Sequence, residues 1–154
     1  MTGLHYEEFE IGKVFTHTLQ HTITAAENVT FSEMTHNPSP LHLDPEYMKT
    51  TEYGRPIVNS CLTLSLMVGI SVGDTTAGTA VANLGWDEVR FPAPVFPGDT
   101  LHFETEVTQM RESKSRPDAG IVTFTHRGYN QRDELIASCQ RFALMRKRSD
   151  NTDC

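Results

Sequence analysis

The sequence predicts an α+β fold: a five-stranded antiparallel sheet, curved and wrapped around one long central helix. Three observations carry this. A near-continuous apolar run from Asn59 to Ile70 is longer than a typical strand and reads as a buried helix. After it, residues 80–145 fall into four alternating stretches separated by turn residues. Before it, a Thr-rich alternating stretch over Val14–Thr24 supplies a fifth strand.

The elements follow in order. Thr24 caps a short helix over Ala25–Met34, with Glu27 completing a capping box. Residues 36–56 contain four prolines and read as loop and single turns. They are too rich in His, Asn, Asp and Tyr to be a mere connector. Asn59 or Ser60 caps the central helix, Leu62, Leu66 and Ile70 form its buried stripe, and Gly73 lies near its end. The four strands are Ala80–Phe91, Asp99–Met110, Ile121–Gly128 and Glu134–Met145. Phe96-Pro97-Gly98-Asp99 turns the chain between the first two, Arg111–Gly120 forms a longer hairpin tip, and Asn130–Asp133 a tight turn. The 154 residues contain no repeat or low-complexity linker, so one domain is expected over 1–154, its core at about 10–146.

Composition narrows the function. With 38% hydrophobic and 21% charged residues the chain is a soluble globular type and not a disordered one. No apolar run is long enough to span a bilayer. The acidic N-terminus lacks the basic start and apolar stretch of a signal peptide, so the expected location is the cytoplasm. A formal charge of −7 argues against nucleic acid as a partner. It leaves room for one polyanionic small molecule, because basic residues cluster at Arg111, Lys114 and Arg116, at Arg55, and at Arg146-Lys147-Arg148. Cys61, Cys139 and Cys154 make neither a disulfide framework nor a zinc site. The histidines lack metal-ligand spacing, so no metal and no cofactor is expected.

The stretch Ser32-Glu33-Met34-Thr35-His36-Asn37-Pro38-Ser39-Pro40-Leu41-His42-Leu43-Asp44 resembles the signature of the MaoC-like, (R)-specific enoyl-CoA hydratases, Gly-Asp-x-Asn-Pro-Leu/Ile-His-x-Asp. Pro40, Leu41, His42 and Asp44 match it, and Ser39 stands where the family often has Asn. Gly54–Leu62 is similar to the family's lead into its central helix, and Arg90–Leu101 to its strand–turn–strand element. The resemblance implies a hot-dog fold and an acyl-CoA thioester as substrate, with CoA arriving as part of it. Two positions depart. The family's Asp five residues before the His is Asn37, and the Gly before it is His36. The pattern Thr-His-Asn-Pro-Ser-Pro-Leu-His looks more like a branch acting on branched C5 dicarboxylyl-CoA esters such as mesaconyl-CoA or itaconyl-CoA.

Hydrating an enoyl thioester requires a base for the water, a proton for the α-carbon and donors for the enolate oxygen. His42 is the candidate base, since an imidazole titrates near neutrality, around ~6.5. Asn37 can orient the water but cannot accept its proton. The resemblance gives the enolate to the backbone N–H of Ser60, where the helix N-terminus adds a favourable dipole. Ser39, Asp44, Arg55 and Arg116 form the candidate substrate-binding set. The two arginines suit CoA phosphates or a substrate carboxylate, and Asp44 alternatively supports the loop. A hot-dog thioesterase is a competing reading, weakened because the helix carries no acid before Asp74. A non-catalytic acyl-CoA-binding member is another, motivated by Asn37. The unpaired edge of a wrapped sheet further predicts a homodimer or dimer-based oligomer.

Overall fold

A computed structural model gives the fold and describes residues 2–149. Strands β1 (Val14–Thr16) and β2 (His21–Thr22) precede helix α1 (Ala25–Met34), the single-turn helices α2 (Pro40–Leu43) and α3 (Pro45–Met48), and the long helix α4 (Ser60–Thr75). Strands β3 (Ala80–Arg90), β4 (Thr100–Glu112), β5 (Ala119–Tyr129) and β6 (Leu135–Arg146) complete the chain. All pairings are antiparallel and the sheet order is β1-β4-β5-β6-β3, with β2 also on β4. No helix among the described residues is long and apolar enough to cross a membrane.

Local chemistry explains the boundaries. The Thr24 hydroxyl accepts from Glu27 N–H while the Glu27 carboxylate accepts from Thr24 N–H, so α1 starts on a complete capping box. The Phe96–Asp99 turn closes with Asp99 N–H donating to the Phe96 carbonyl at 3.0 Å. Pro97 is preset for its first corner, and Gly98, at φ +97°, occupies a second corner that side chains avoid.

The structure corrects two expectations. The N-terminal strand is interrupted: between the pairs Thr16↔Glu104 and His21↔Leu101 it advances five residues against three. The surplus loops out and leaves Leu19 exposed. On α4 the buried stripe is Thr63, Met67, Ser71 and Thr75, not the leucine stripe one position earlier. Ser71 and Thr75 can face the sheet because their hydroxyls donate to the carbonyls of Val68 and Ser71, both at 2.6 Å. Leu62, Leu66 and Ile70 are left half-buried beside that stripe.

Two apolar clusters fill the concave side. One joins α4 to the start of β4 and β6 through Met67, Leu101, Phe103, Ile136 and Cys139. The other, Phe9, Val107, Val122, Phe124, Ala143 and Met145, sits at the far end. Between them in sequence lie Thr105 on β4 and Arg141 on β6, and His126 follows Phe124 by two residues on β5; all three are buried. Asp74 accepts from His17 Nδ1 at 2.6 Å, His17 Nε2 meets the Thr105 hydroxyl at 2.8 Å, and that hydroxyl meets His126 Nδ1 at 2.8 Å. Since a carboxylate only accepts, His17 carries its hydrogen on Nδ1. His126 Nε2 and Arg141 Nε have no hydrogen-bond partner among the described residues.

Burial first, then the charges of Arg141 and His17, push the His126 imidazole down to about 3. In the unfolded chain it accepts a proton near ~6.5. Between these values the unfolded state binds the extra proton, so the contribution of His126 destabilises the fold as pH drops from about 6.5 toward 3. Urea midpoints from pH 7.5 to 4 are expected to fall less steeply for His126→Gln than for the wild type. Equal slopes would contradict the assignment.

Candidate active site

The loop between α1 and α4 is held at three levels. Asn37 Oδ1 accepts from Ser39 N–H at 3.0 Å, forming an Asx turn, and Ser39 Oγ accepts from Leu41 N–H at 3.3 Å to cap α2. Asp44 Oδ1 accepts from both Glu46 and Tyr47 N–H at 3.0 Å, capping α3. His36 sits at φ +56°, a left-handed conformation that costs a residue with a Cβ ~1 kcal/mol. The Gly in the related signature falls on this position, and the backbone shows why it suits.

Below the loop, Asn28 on α1 acts as a buried clasp. It is 1% exposed. Its Nδ2 donates to the Ile57 carbonyl at 3.0 Å and, less closely, to the His42 carbonyl at 3.4 Å. Its Oδ1 accepts from Asn59 N–H at 2.8 Å. Asn59 in turn caps α4 through Cys61 N–H at 3.0 Å. The Ile57 carbonyl also accepts from His42 Nδ1 at 2.9 Å, and Ile57 N–H donates to the Leu41 carbonyl at 2.9 Å. A carbonyl cannot donate, so His42 Nδ1 carries the hydrogen and the neutral ring presents Nε2 as a lone pair.

The first-turn amides of α4 divide unequally. Cys61 N–H goes to Asn59 Oδ1, and Leu62 and Thr63 N–H go to the Asn59 carbonyl. Ser60 N–H has no protein acceptor among the described residues. It is therefore a free donor at the positive end of a 16-residue helix.

The structure unites some of the expected residues and separates others. Asn37, Ser39, His42 and Asp44 share one loop, with the first three half-buried. His42 and Arg55 line a pocket of about 250 Å³ with Asn28, Pro56 and Pro97. Ser60 lines a neighbouring pocket of about 260 Å³ with Tyr53, Ile57, Phe91 and Ile136. Ile57 connects the two, since its carbonyl holds His42. Asp44 Oδ1 is engaged in capping α3, which is the loop-supporting alternative for this residue. Arg116 stands apart from the loop: its guanidinium grips Asp118 with contacts of 3.0 and 2.6 Å at the β4–β5 tip. The 13 residues of β4, roughly 40 Å of strand, part that tip from the His42 end within one chain.

Asn28 escaped the sequence reading, as did the ring of Phe96, which carries the Arg55 guanidinium 4.0 Å from its centroid. The signal for Asn28 was a polar residue at one of the two α1 positions, 28 and 32, that face inward. Asn28→Ala leaves Asn59 N–H without its acceptor and frees the loop. It is expected to lower unfolding free energy by about 1–3 kcal/mol and to reduce turnover by more than Asp44→Ala does. Chemical denaturation alongside kcat for both variants checks this.

Comparison with known proteins places this geometry. A model of the MaoC like domain matches residues 8–129. The mesaconyl-CoA hydratase of Cereibacter sphaeroides is 31% identical over 146 residues, covering 95% of this chain and 42% of that protein. This chain thus spans about two-fifths of the length of that relative. The (R)-specific enoyl-CoA hydratase of Aeromonas caviae is 39% identical over 114 residues, 74% of this chain and 80% of that protein. A conserved hypothetical protein from Mycobacterium tuberculosis, described as a double hot-dog fold, superposes with a TM-score of 0.87. That match covers 96% of this chain and 46% of the other at 23% identity, and speaks to fold alone. The topology is that of a hot-dog fold, and the chain belongs to the MaoC-like domain family.

Proposed function

We propose that this chain is a hydro-lyase that interconverts an enoyl-CoA and a 3-hydroxyacyl-CoA. The observation that carries the reading is the hydrogen bond from His42 Nδ1 to the Ile57 carbonyl, which leaves Nε2 basic on a pocket wall. In hydration, Nε2 takes a proton from water as the hydroxide oxygen bonds to the β-carbon. The π electrons move onto the thioester oxygen, where Ser60 N–H and the α4 dipole stabilise the enolate. The proton on His42 then passes to the α-carbon, so the net change is addition of one water. Asn37 spends its Oδ1 on the Asx turn, which leaves Nδ2 as a donor to the water oxygen. No cofactor enters this scheme.

The names of the relatives favour this chemistry over the alternatives, and the mesaconyl-CoA hydratase favours a branched C5 dicarboxylyl-CoA as the substrate. A thioesterase would need a water-activating acid near the site. Asp74, the acid on α4, lies at its far end and is bound to His17. A dimer also belongs to the proposal, since among the described residues β3 pairs only with β6 and exposes Leu84 and Trp86 along an open edge.

Incubation with crotonyl-CoA, mesaconyl-CoA and itaconyl-CoA, read by mass spectrometry, distinguishes gain of water from release of CoA. Gain of water is expected. His42→Ala should lower kcat roughly 10²–10⁴-fold, the usual contribution of general acid–base catalysis, and Asn37→Ala should cost less. Hydration that survives His42→Ala intact would overturn the mechanism.

A further inference from the structure

The buried stripe of α4 carries three hydroxyls, and they are not alike. Ser71 and Thr75 donate to the carbonyls of Val68 and Ser71, both at 2.6 Å. Thr63 makes no such bond. The acceptor it would use, the Asn59 carbonyl four residues back, already takes Leu62 N–H at 2.9 Å and Thr63 N–H at 3.2 Å. Thr63 is 1% exposed, yet its Oγ1 has no hydrogen-bond partner among the described residues. A hydroxyl left in that state destabilises the fold unless something else engages it. Sealed polar atoms without a partner occur on Thr79, His126 and Arg141, and Thr63 is not among them. Its Oγ1 therefore reaches open space, and the space Thr63 lines is the pocket of about 260 Å³ that Ser60 also lines.

Position decides what this hydroxyl can meet. Thr63 follows Ser60 by three residues, so the two share one face of the helix, and helical side chains lean toward the N-terminus. Oγ1 is thereby carried back over the turn whose free amide is Ser60 N–H. The walls around the pair include Ile57, Val58, Phe91, Val95 and Ile136, and an apolar surround strengthens any hydrogen bond made there. We propose that the Thr63 hydroxyl is a second donor to the enolate oxygen, completing a two-donor oxyanion site with Ser60 N–H. The inference rests on the hydro-lyase reading and adds to it a residue from within the helix. As the hydroxide oxygen bonds to the β-carbon, the π electrons arrive on the thioester oxygen, where both donors meet them. The Thr63 proton stays on Oγ1 throughout, so the proton count of the reaction is unchanged. The rival partner is the attacking water, but that water belongs at His42 Nε2, on the wall of the neighbouring pocket.

The test compares wild type, Thr63→Val, which keeps the shape and loses the hydroxyl, and Thr63→Ser, which keeps the hydroxyl. Steady-state hydration of crotonyl-CoA and mesaconyl-CoA gives kcat and KM, and urea unfolding gives stability. Thr63→Val should lower kcat roughly 10²–10³-fold, as removal of one oxyanion donor does elsewhere, with KM little changed. Thr63→Ser should recover most of that loss. The urea midpoint of Thr63→Val should equal or exceed that of the wild type, because no protein group loses a partner. A lowered midpoint would make the hydroxyl structural and overturn the proposal, as would an unchanged kcat or a loss confined to KM. A readout without turnover separates this claim from the reading beneath it. The infrared stretch of a ¹³C-labelled thioester carbonyl in bound butyryl-CoA, a saturated analogue, should shift to lower frequency in the wild type and less so in Thr63→Val. That pattern in a wild type that hydrates neither thioester would sink the hydro-lyase reading and uphold the donor pair. Hydration by a wild type whose carbonyl stretch and kcat are both indifferent to Thr63→Val would do the reverse.

Discussion

The Ile57 carbonyl is the point on which the site turns. One of its lone pairs takes the Asn28 amide, and the other takes His42 Nδ1. The first contact ties the loop to α1, and the second fixes which nitrogen of the imidazole is basic. The next backbone groups extend the same device. Val58 N–H donates to the Val95 carbonyl at 2.7 Å, docking the segment on the β3–β4 loop that leads to Phe96. Asn59 N–H returns to Asn28, and its side chain opens α4. Three consecutive residues thus lock base, pocket wall and helix N-terminus in one frame. A displacement of Ile57 would disturb all three together.

The sheet beneath serves as a rigid support with one unusual feature. Its concave face is not uniformly apolar, because His17, Thr105, His126 and Arg141 occupy its middle. Burying such groups is tolerable only when they are hydrogen-bonded. The Asp74-to-His126 chain meets that need along most of its length, and it joins the C-terminal end of α4 to the residue after β1, to β4 and to β5. Met67 anchors the apolar packing nearer the start of the helix. The helix is thereby held along its length, and the direction of its dipole at Ser60 follows from that.

Much of this was legible in the sequence where the determinant is local. The Thr24 and Glu27 capping box placed α1 at Ala25–Met34, and the Pro97-Gly98 pair located the turn. The alternation after residue 80 gave four strands within a few residues of their ends. The motif around His42 singled out the loop. What stayed hidden depends on contacts distant in sequence. Asn28 reads as one polar residue on a short helix until residues 42, 57 and 59 are brought to it. The α4 stripe was misplaced by one position because hydropathy favours leucine, whereas a hydroxyl that bonds its own helix can also be buried. The pairing of Arg116 with Asp118 stayed hidden because an intervening proline separates them, and the distance of Arg116 from the loop is set by strand length.

The central claim is that the protein, before any substrate binds, fixes His42 as the Nδ1–H tautomer with Nε2 free. Long-range ¹H–¹⁵N correlation spectra of protein labelled in its histidine rings test it directly, with the His42 signals assigned by their loss in His42→Ala. In the neutral ring, a protonated Nδ1 and a pyridine-type Nε2 are predicted. A neutral His42 ring carrying its proton on Nε2 would contradict the account, because the nitrogen facing the pocket could then no longer accept a proton from water.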